Sequence, residues 1–241
     1  MIKRVLILPD VHLTGEGYSP SYSLAKTFVK DIRPDEIILL GDFLDCTSLS
    51  HWIENKTLLL ENKRYLLEIG NANEELDYLQ KYSKKVTYLE GNHENWVQQY
   101  IEKHPMLEGM LEIPLRLELK ERNIEWFPLN ELYRVGKMYF LHGDTTVKYH
   151  ASKMLQDYGC CLCYGHTHTA QTAQMNMKMQ EPIMAYGLGC LCSHEPHYMK
   201  GKHARWIDQV GIMEYDENGN FNLTPINITA GQFIWEGKEY K

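Results

Sequence analysis

The chain has 241 residues, 44% of them hydrophobic and 24% charged, enough to bury a substantial core in an ordinary globular composition. Its formal net charge of −7 gives no overall basic field to attract long polyanions, so any hold on nucleic acid would have to be local. The basic-then-apolar start MIKRVLILPD lacks the small-residue cleavage site of a signal peptide, and no run reaches the length of a membrane span. A soluble, cytoplasmic protein is expected.

In chain order, RVLILPD, EIILLGD, KVTYLEGN, MYFLHGD and CLCYGHTH are short apolar runs that each end in glycine or a polar residue, the pattern of buried strands. Between them, helical periodicity runs over Ser21–Lys30, from about Lys56 to Tyr82, over Asn95–Lys103 and over Val147–Tyr158. Alternating strands and helices predict a sheet with helices packed outside it. After Thr169 the helices stop. Ala170–Met179, Ile183–Leu191, Gln209–Tyr215 and Phe221–Ile228 read as strands, the last two joined by the turn residues Asp216–Asn220. This half is expected to form a largely antiparallel sheet stacked on the first. No repeat, low-complexity tract or linker interrupts residues 1–241, which are expected to form a single domain.

Of six cysteines, Cys160, Cys161, Cys163, Cys190 and Cys192 lie in apolar runs and Cys46 stands alone. Cys160-x-x-Cys163 with Cys190 and Cys192 would make a zinc site. Buried strand cysteine is the simpler reading.

The chemistry gathers at the strand ends, where open α/β sheets place their functional groups. Asp10 and His12 follow the first strand, Asp42 and Asp45 the second, Asn92 and His93 the third, His142 the fourth, and His166 and His168 the fifth. Each fragment alone fits a turn. Five together would bury carboxylates and imidazoles side by side at a cost of several kcal/mol, unless cations compensate them.

D-x-H, G-D-x-x-D, G-N-H-E, H and G-H-x-H, in that order from Asp10 to His168, resemble the calcineurin-like metallophosphoesterase superfamily. GDFLDCTSLSHW, GNHENW and GLGCLC are similar to its phage and prophage members. The resemblance implies a four-layer αββα fold of two stacked mixed β-sheets flanked by helices. It also implies a hydrolase of phosphate esters working through a hydroxide that bridges two divalent ions. Asp10, His12 and His168 would hold one ion and Asn92, His142 and His166 the other, with Asp42 bridging them. His93 would be the general acid and Asp45 the residue that orients it. Oxygen and nitrogen ligands without thiolate suit Mn²⁺, with Fe, Zn²⁺ or Ni²⁺ as alternatives.

For the substrate, phosphoprotein phosphatases carry an arginine just after G-D-x-x-D and just before G-N-H-E, where this chain has Cys46 and Glu90. Without that bidentate fork, a phosphodiesterase acting on nucleotides or nucleic acid is the leading expectation. The alternatives are a phosphomonoesterase of small molecules or Ser/Thr phosphoproteins, and a metal-binding scaffold without catalysis. His51, Trp52, His194, His197 and Arg205 are the candidate substrate contacts, the last three from the segment SHEPHYMKGKHARW. If the protein is phage-encoded, its compartment would be the host cytoplasm, with no membrane partner.

Overall fold

A computed structural model describes residues 1–176, 178–179, 181–194 and 205–241. The first half alternates strand and helix: β1 (Lys3–Leu8), α1 (Pro20–Ile32), β2 (Glu36–Leu39), α2 (Thr57–Leu60), α3 (Tyr65–Tyr82), β3 (Val86–Leu89), α4 (Asn92–Lys103), α5 (Ile113–Arg116) and β4 (Glu125–Phe127). Then come β5 (Tyr133–Val135), β6 (Met138–Leu141), α6 (His150–Tyr158), β7 (Leu162–Tyr164), β8 (Gln171–Met175), β9 (Ile183–Gly187), β10 (Gln209–Tyr215), β11 (Phe221–Asn227), β12 (Phe233–Trp235) and β13 (Lys238–Tyr240).

Two mixed sheets form the middle of the molecule. One has the order β11-β10-β1-β2-β3-β4 and the other β5-β6-β7-β9-β8. Strand alternation explains how they stack. Val5, Ile7 and Ile38 point to one side and join Phe140, Cys163, Leu188 and Met213 in a single cluster between the sheets. Leu6, Leu8, Ile37 and Leu39 point to the other side, onto Phe28 and Val29 of α1 and Ile69, Leu76 and Leu79 of α3. The far face of the second sheet packs Leu141, Leu162 and Ala185 against Ala151, Met154 and Leu155 of α6. The result is helix, sheet, sheet, helix. Each fully buried Leu, Ile or Phe contributes roughly 1.5–3 kcal/mol of transfer free energy, so the inter-sheet layer is a principal source of stability.

The strand pairing departs from the sequence expectation. The second half does not build its own antiparallel sheet: β10 pairs antiparallel with β1 and carries β11 into the first sheet. In the second sheet β7 runs parallel to both β6 and β9, and only β5 and β8 are antiparallel to their neighbours. Apolar periodicity marks a strand but does not encode its partner or direction. The helical stretch from Lys56 also breaks. Asn62 adopts a left-handed backbone (φ 63) between α2 and α3, a conformation asparagine tolerates better than most residues. α4 begins three residues earlier than periodicity suggested, at Asn92, which puts the G-N-H-E motif in its first turn.

Candidate active site

The motif loops are laced together by backbone hydrogen bonds before any side chain acts. His12 N–H donates to the Asp42 carbonyl (2.9 Å), Leu13 N–H to Phe43 (2.8 Å) and Leu191 N–H to Asp10 (3.1 Å). Leu40 N–H donates to Leu8 (3.0 Å), continuing the β1–β2 ladder into the loops. Five of the seven expected ligands take left-handed backbone conformations: Asp10 (φ 43), His12 (φ 50), Asp42 (φ 49), His166 (φ 70) and His168 (φ 56). Such angles are uncommon outside glycine and cluster where the surrounding structure enforces a functional geometry.

Two glycines permit the close approach. A Cβ on Gly91 would lie 2.1 Å from Asp42 Oδ1, and one on Gly165 would lie 2.2 Å from Asp10 Oδ2. Glu94, in the first turn of α4, then holds the turn. Its Oε1 accepts from Leu44 N–H (2.9 Å) and the Tyr88 hydroxyl (2.8 Å), and its Oε2 from Asp42 N–H and Gly91 N–H (both 3.0 Å). Burial and the nearby Asp42 charge push the Glu94 carboxyl up to about 7.

Ligand atoms converge in two sets that share one carboxylate. Asp10, His12, Asp42 and His168 form one group and Asp42, His142 and His166 the other, with the atoms of each group within 4.8 Å of one another. In the first, His168 Nε2 is 3.1 Å from Asp10 Oδ1 and 3.3 Å from His12 Nε2. In the second, His142 Nε2 is 3.3 Å from Asp42 Oδ2, and Asn92 Oδ1 lies 3.1 Å from His142 Nε2 and 2.8 Å from His166 Nδ1.

The donor set asks for cations. His142 Nδ1–H donates to the Leu40 carbonyl (3.0 Å), so in the neutral ring Nε2 presents a lone pair toward Asn92 Oδ1. Acceptor then faces acceptor, and the arrangement is repulsive until a positive charge sits between them. Without one, protons must serve. Burial lowers the affinity of His142 for a proton, yet the Asp42 carboxylate outweighs it and raises the ring to about 10. His12 rises to about 9 against the same burial, through Asp45 and Asp42. Metal ions would replace those protons. Mixed oxygen and nitrogen donors, most of them buried, fit divalent transition ions.

The family model of calcineurin-like phosphoesterases matches residues 3–170, and this span holds every one of these ligand candidates. The chain belongs to that family. It is therefore a metal-dependent hydrolase acting on phosphate esters. Gene 54 protein of Mycobacterium phage D29 is 23% identical over 262 residues, covering 98% of both chains. Among solved structures, Vps29 of Chaetomium thermophilum is similar at 11% identity with a TM-score of 0.43, over 93% of this chain and 97% of that one. TT1561 of Thermus thermophilus is similar at 10% identity with a TM-score of 0.36, over 93% and 99% respectively.

In this phosphoesterase His93 sits at the second position of α4, where its N–H donates to Asp42 Oδ1 (2.8 Å). The Asp42 carboxylate thus lies at a helix N-terminus, which favours negative charge. Desolvation opposes that charge, but the surrounding imidazoles, His142 foremost, hold Asp42 well below the usual carboxylate range. His93 Nδ1 contacts the backbone carbonyl of Asp45 (2.6 Å), whereas the Asp45 carboxylate stands 3.8 Å from Nδ1. The main chain of Asp45 therefore makes the closer contact with the ring. The Asp45 carboxylate lies between His12 Nδ1 (3.7 Å) and Lys63 Nζ (3.7 Å). Trp96, one helical turn on, lies against His93 with ring centroids 3.9 Å apart.

A cleft of about 440 Å³ opens beside the ligands, lined by His12, Asp45, Lys63, His168, Cys192 and Trp206 among others. His51 and Trp52 do not line it. They belong to or adjoin a second cleft: His51 lines it together with Trp96, Tyr100 and His104, and Trp52 is exposed with its ring 4.4 Å from that of His51. His194 sits near Trp206 (ring centroids 6.0 Å) and Arg205 is exposed, while His197 lies outside the described residues.

Several residues near the site gave no clear signal in the sequence. Lys63 reaches the cleft from a distant segment, and Cys192 Sγ lies 3.6 Å from His168 Nδ1, whereas Trp206, which also lines the cleft, ends the segment SHEPHYMKGKHARW that the sequence singles out. Trp96 was legible in principle, because a residue three after His93 on a helix shares its face. No group of metal-binding geometry among the described residues joins Cys160 or Cys163 to Cys190 or Cys192. Cys163 instead packs between the sheets.

Proposed function

We propose that the protein is a phosphodiesterase that holds two divalent ions, Mn²⁺ foremost, and acts on nucleotides or nucleic acid. The observation that carries the reading is that Asp42 belongs to both ligand groups, the arrangement needed to fix two ions side by side. Asp10, His12 and His168 would hold one ion, Asn92, His142 and His166 the other, and Asp42 both. Bound there, the ions would activate water and neutralise charge on the phosphoryl oxygens.

The protein's own groups do the rest. His93 Nδ1–H is held by the Asp45 carbonyl, which leaves Nε2 to carry the proton a leaving alkoxide needs. Burial draws His93 down to about 4, so the ring is neutral until an anionic phosphate enters and favours its charged form. Trp96 against its face restricts ring rotation.

Substrate class follows from what surrounds the ligands. Cys46 and Glu90 stand where a phosphoprotein phosphatase has arginines. Cys46 is buried, and Glu90 accepts from Leu129 N–H (2.8 Å) and the Asn95 amide (3.3 Å), so neither offers a cation. Among the described residues, Lys63 supplies one positive charge to the cleft, and Trp206 and Tyr18 supply planar surfaces on which a base would stack. One point charge and flat apolar walls suit a diester better than a doubly charged terminal phosphate. The test is Mn²⁺-loaded enzyme on bis- and mono-(p-nitrophenyl) phosphate in parallel, followed by single-stranded DNA and cyclic nucleotides. Preference for the diester is expected. Preference for the monoester would overturn the assignment.

A further inference from the structure

We propose that Cys190, His194 and Asp208 form a separate site for one transition-metal ion of the zinc class. Cys190 Sγ, His194 Nε2 and an Asp208 carboxylate oxygen lie within 4.8 Å of one another. His194 Nε2 is 2.7 Å from Asp208 Oδ1 and 3.9 Å from Cys190 Sγ. None of the three belongs to the two groups that share Asp42.

The site is built. Cys190 and Asp208 are parallel bridge partners, with Cys190 N–H donating to Ile207 (2.9 Å) and Gln209 N–H to the Cys190 carbonyl (3.0 Å). A Cβ on Gly189 would fall 1.9 Å from the Ile207 carbonyl, so glycine is required for the two segments to meet. Ser21 at the start of α1 donates to Asp208 Oδ2 (2.6 Å), which orients the carboxylate and leaves Oδ1 facing His194. The Cys190 thiol is fully buried and drawn down to about 6, first by the Cys192 side chain and also by His194, so thiolate is available near neutral pH.

The geometry separates this site from a Cys-His-Asp relay. In a relay, the thiol and the carboxylate face opposite nitrogens of the ring. Here both face Nε2. Thiolate, imidazole and carboxylate aimed at one point are ligands for a cation, and among the described residues three protein donors face that point. The ion would pin the segment leading into β10 against the loop after β9. Trp206 lies in that segment, with its ring 4.3 Å from His168, so occupancy would also set one wall of the cleft.

The experiment uses the full chain loaded with Co²⁺ under a non-thiol reductant, read by the thiolate-to-cobalt charge-transfer band and by ions bound per chain. Cys192 Sγ lies at metal-binding distance from His12 and His168, so the Cys192→Ser variant is what separates a thiolate on that centre from Cys190. A band is expected in the wild type, absent in Cys190→Ser and in His194→Ala, and retained in Cys192→Ser, with one ion fewer per chain in the first two variants. His194 is partly exposed, so its truncation leaves a folded comparison if Cys190→Ser does not fold. No band in the wild type, a band that survives both Cys190→Ser and His194→Ala, or one that vanishes only in Cys192→Ser would overturn the proposal.

Discussion

Gly91→Ala isolates the packing that lets α4 approach Asp42. Gly91 has φ −96 and ψ 179, a conformation any residue adopts, so alanine there adds no backbone strain. Its Cβ, however, would lie 2.1 Å from Asp42 Oδ1 and 2.2 Å from Asp42 N. Both distances are far inside ordinary contact, and neither neighbour can swing away, because Glu94 holds Asp42 N–H and His93 N–H holds Oδ1. Overpacking of this kind costs about 1–3 kcal/mol. Displacing the shared carboxylate should also weaken binding of both ions by roughly 10–100-fold, the usual penalty for disturbing ligand support. Gly70→Ala is the control. Gly70 lies within α3 with nothing within 4 Å of its added Cβ, and alanine there should stabilise by about 0.5–1 kcal/mol. Urea unfolding and isothermal titration with Mn²⁺ read the two effects. A Gly91→Ala protein that takes up two ions with wild-type affinity would refute the reasoning, since no close approach would then be needed.

Three further outcomes follow from the same geometry. His93→Gln should retain both ions while turnover drops by ~10²–10⁴-fold; undiminished kcat would remove His93 from proton transfer. Glu94→Ala strips a buried acceptor from four donors and should cost about 3–5 kcal/mol, measured by chemical denaturation, and a loss below about 1 kcal/mol would mean that the loop is held by other contacts. Glu68, buried and accepting from Cys46 N–H, is raised from 4.5 to about 8, chiefly by desolvation. Its folded pKa lies above the unfolded one, so its stabilising contribution is complete below pH 4.5 and is lost as pH rises to about 8. Glu68→Gln should flatten that decline, matching the wild type near the lower end of that window and exceeding it in melting temperature above the upper end. Parallel pH profiles for the two proteins would contradict the shift.

Much of the candidate site was legible in the chain itself. A buried strand that ends in a carboxylate or imidazole carries its own warning, because desolvation makes such an ending costly without compensation. Five strand ends, at Asp10, Asp42, Asn92, His142 and His166, pointed to one pocket, and the topology delivers them to it. Other features left no local trace. The grip of Glu94 on the Asp42 loop depends on β2 and β3 lying side by side. Lys63 is an ordinary surface residue in sequence and reaches the cleft only through long-range packing. The placing of His51 and Trp52 also shows the limit: following closely on the G-D-x-x-D motif, they were expected beside the ligands, but the chain turns them toward a neighbouring cleft.

Local sequence determined the strands that carry the site and the side chains that end them, because side-chain period and turn chemistry are properties of a few neighbouring residues. Tertiary structure decided which strands pair, that β10 and β11 return to the first sheet, and that Cys190 comes to lie beside Asp208. Those choices are settled by burial summed over two whole sheets, and no short stretch of the chain contains that sum.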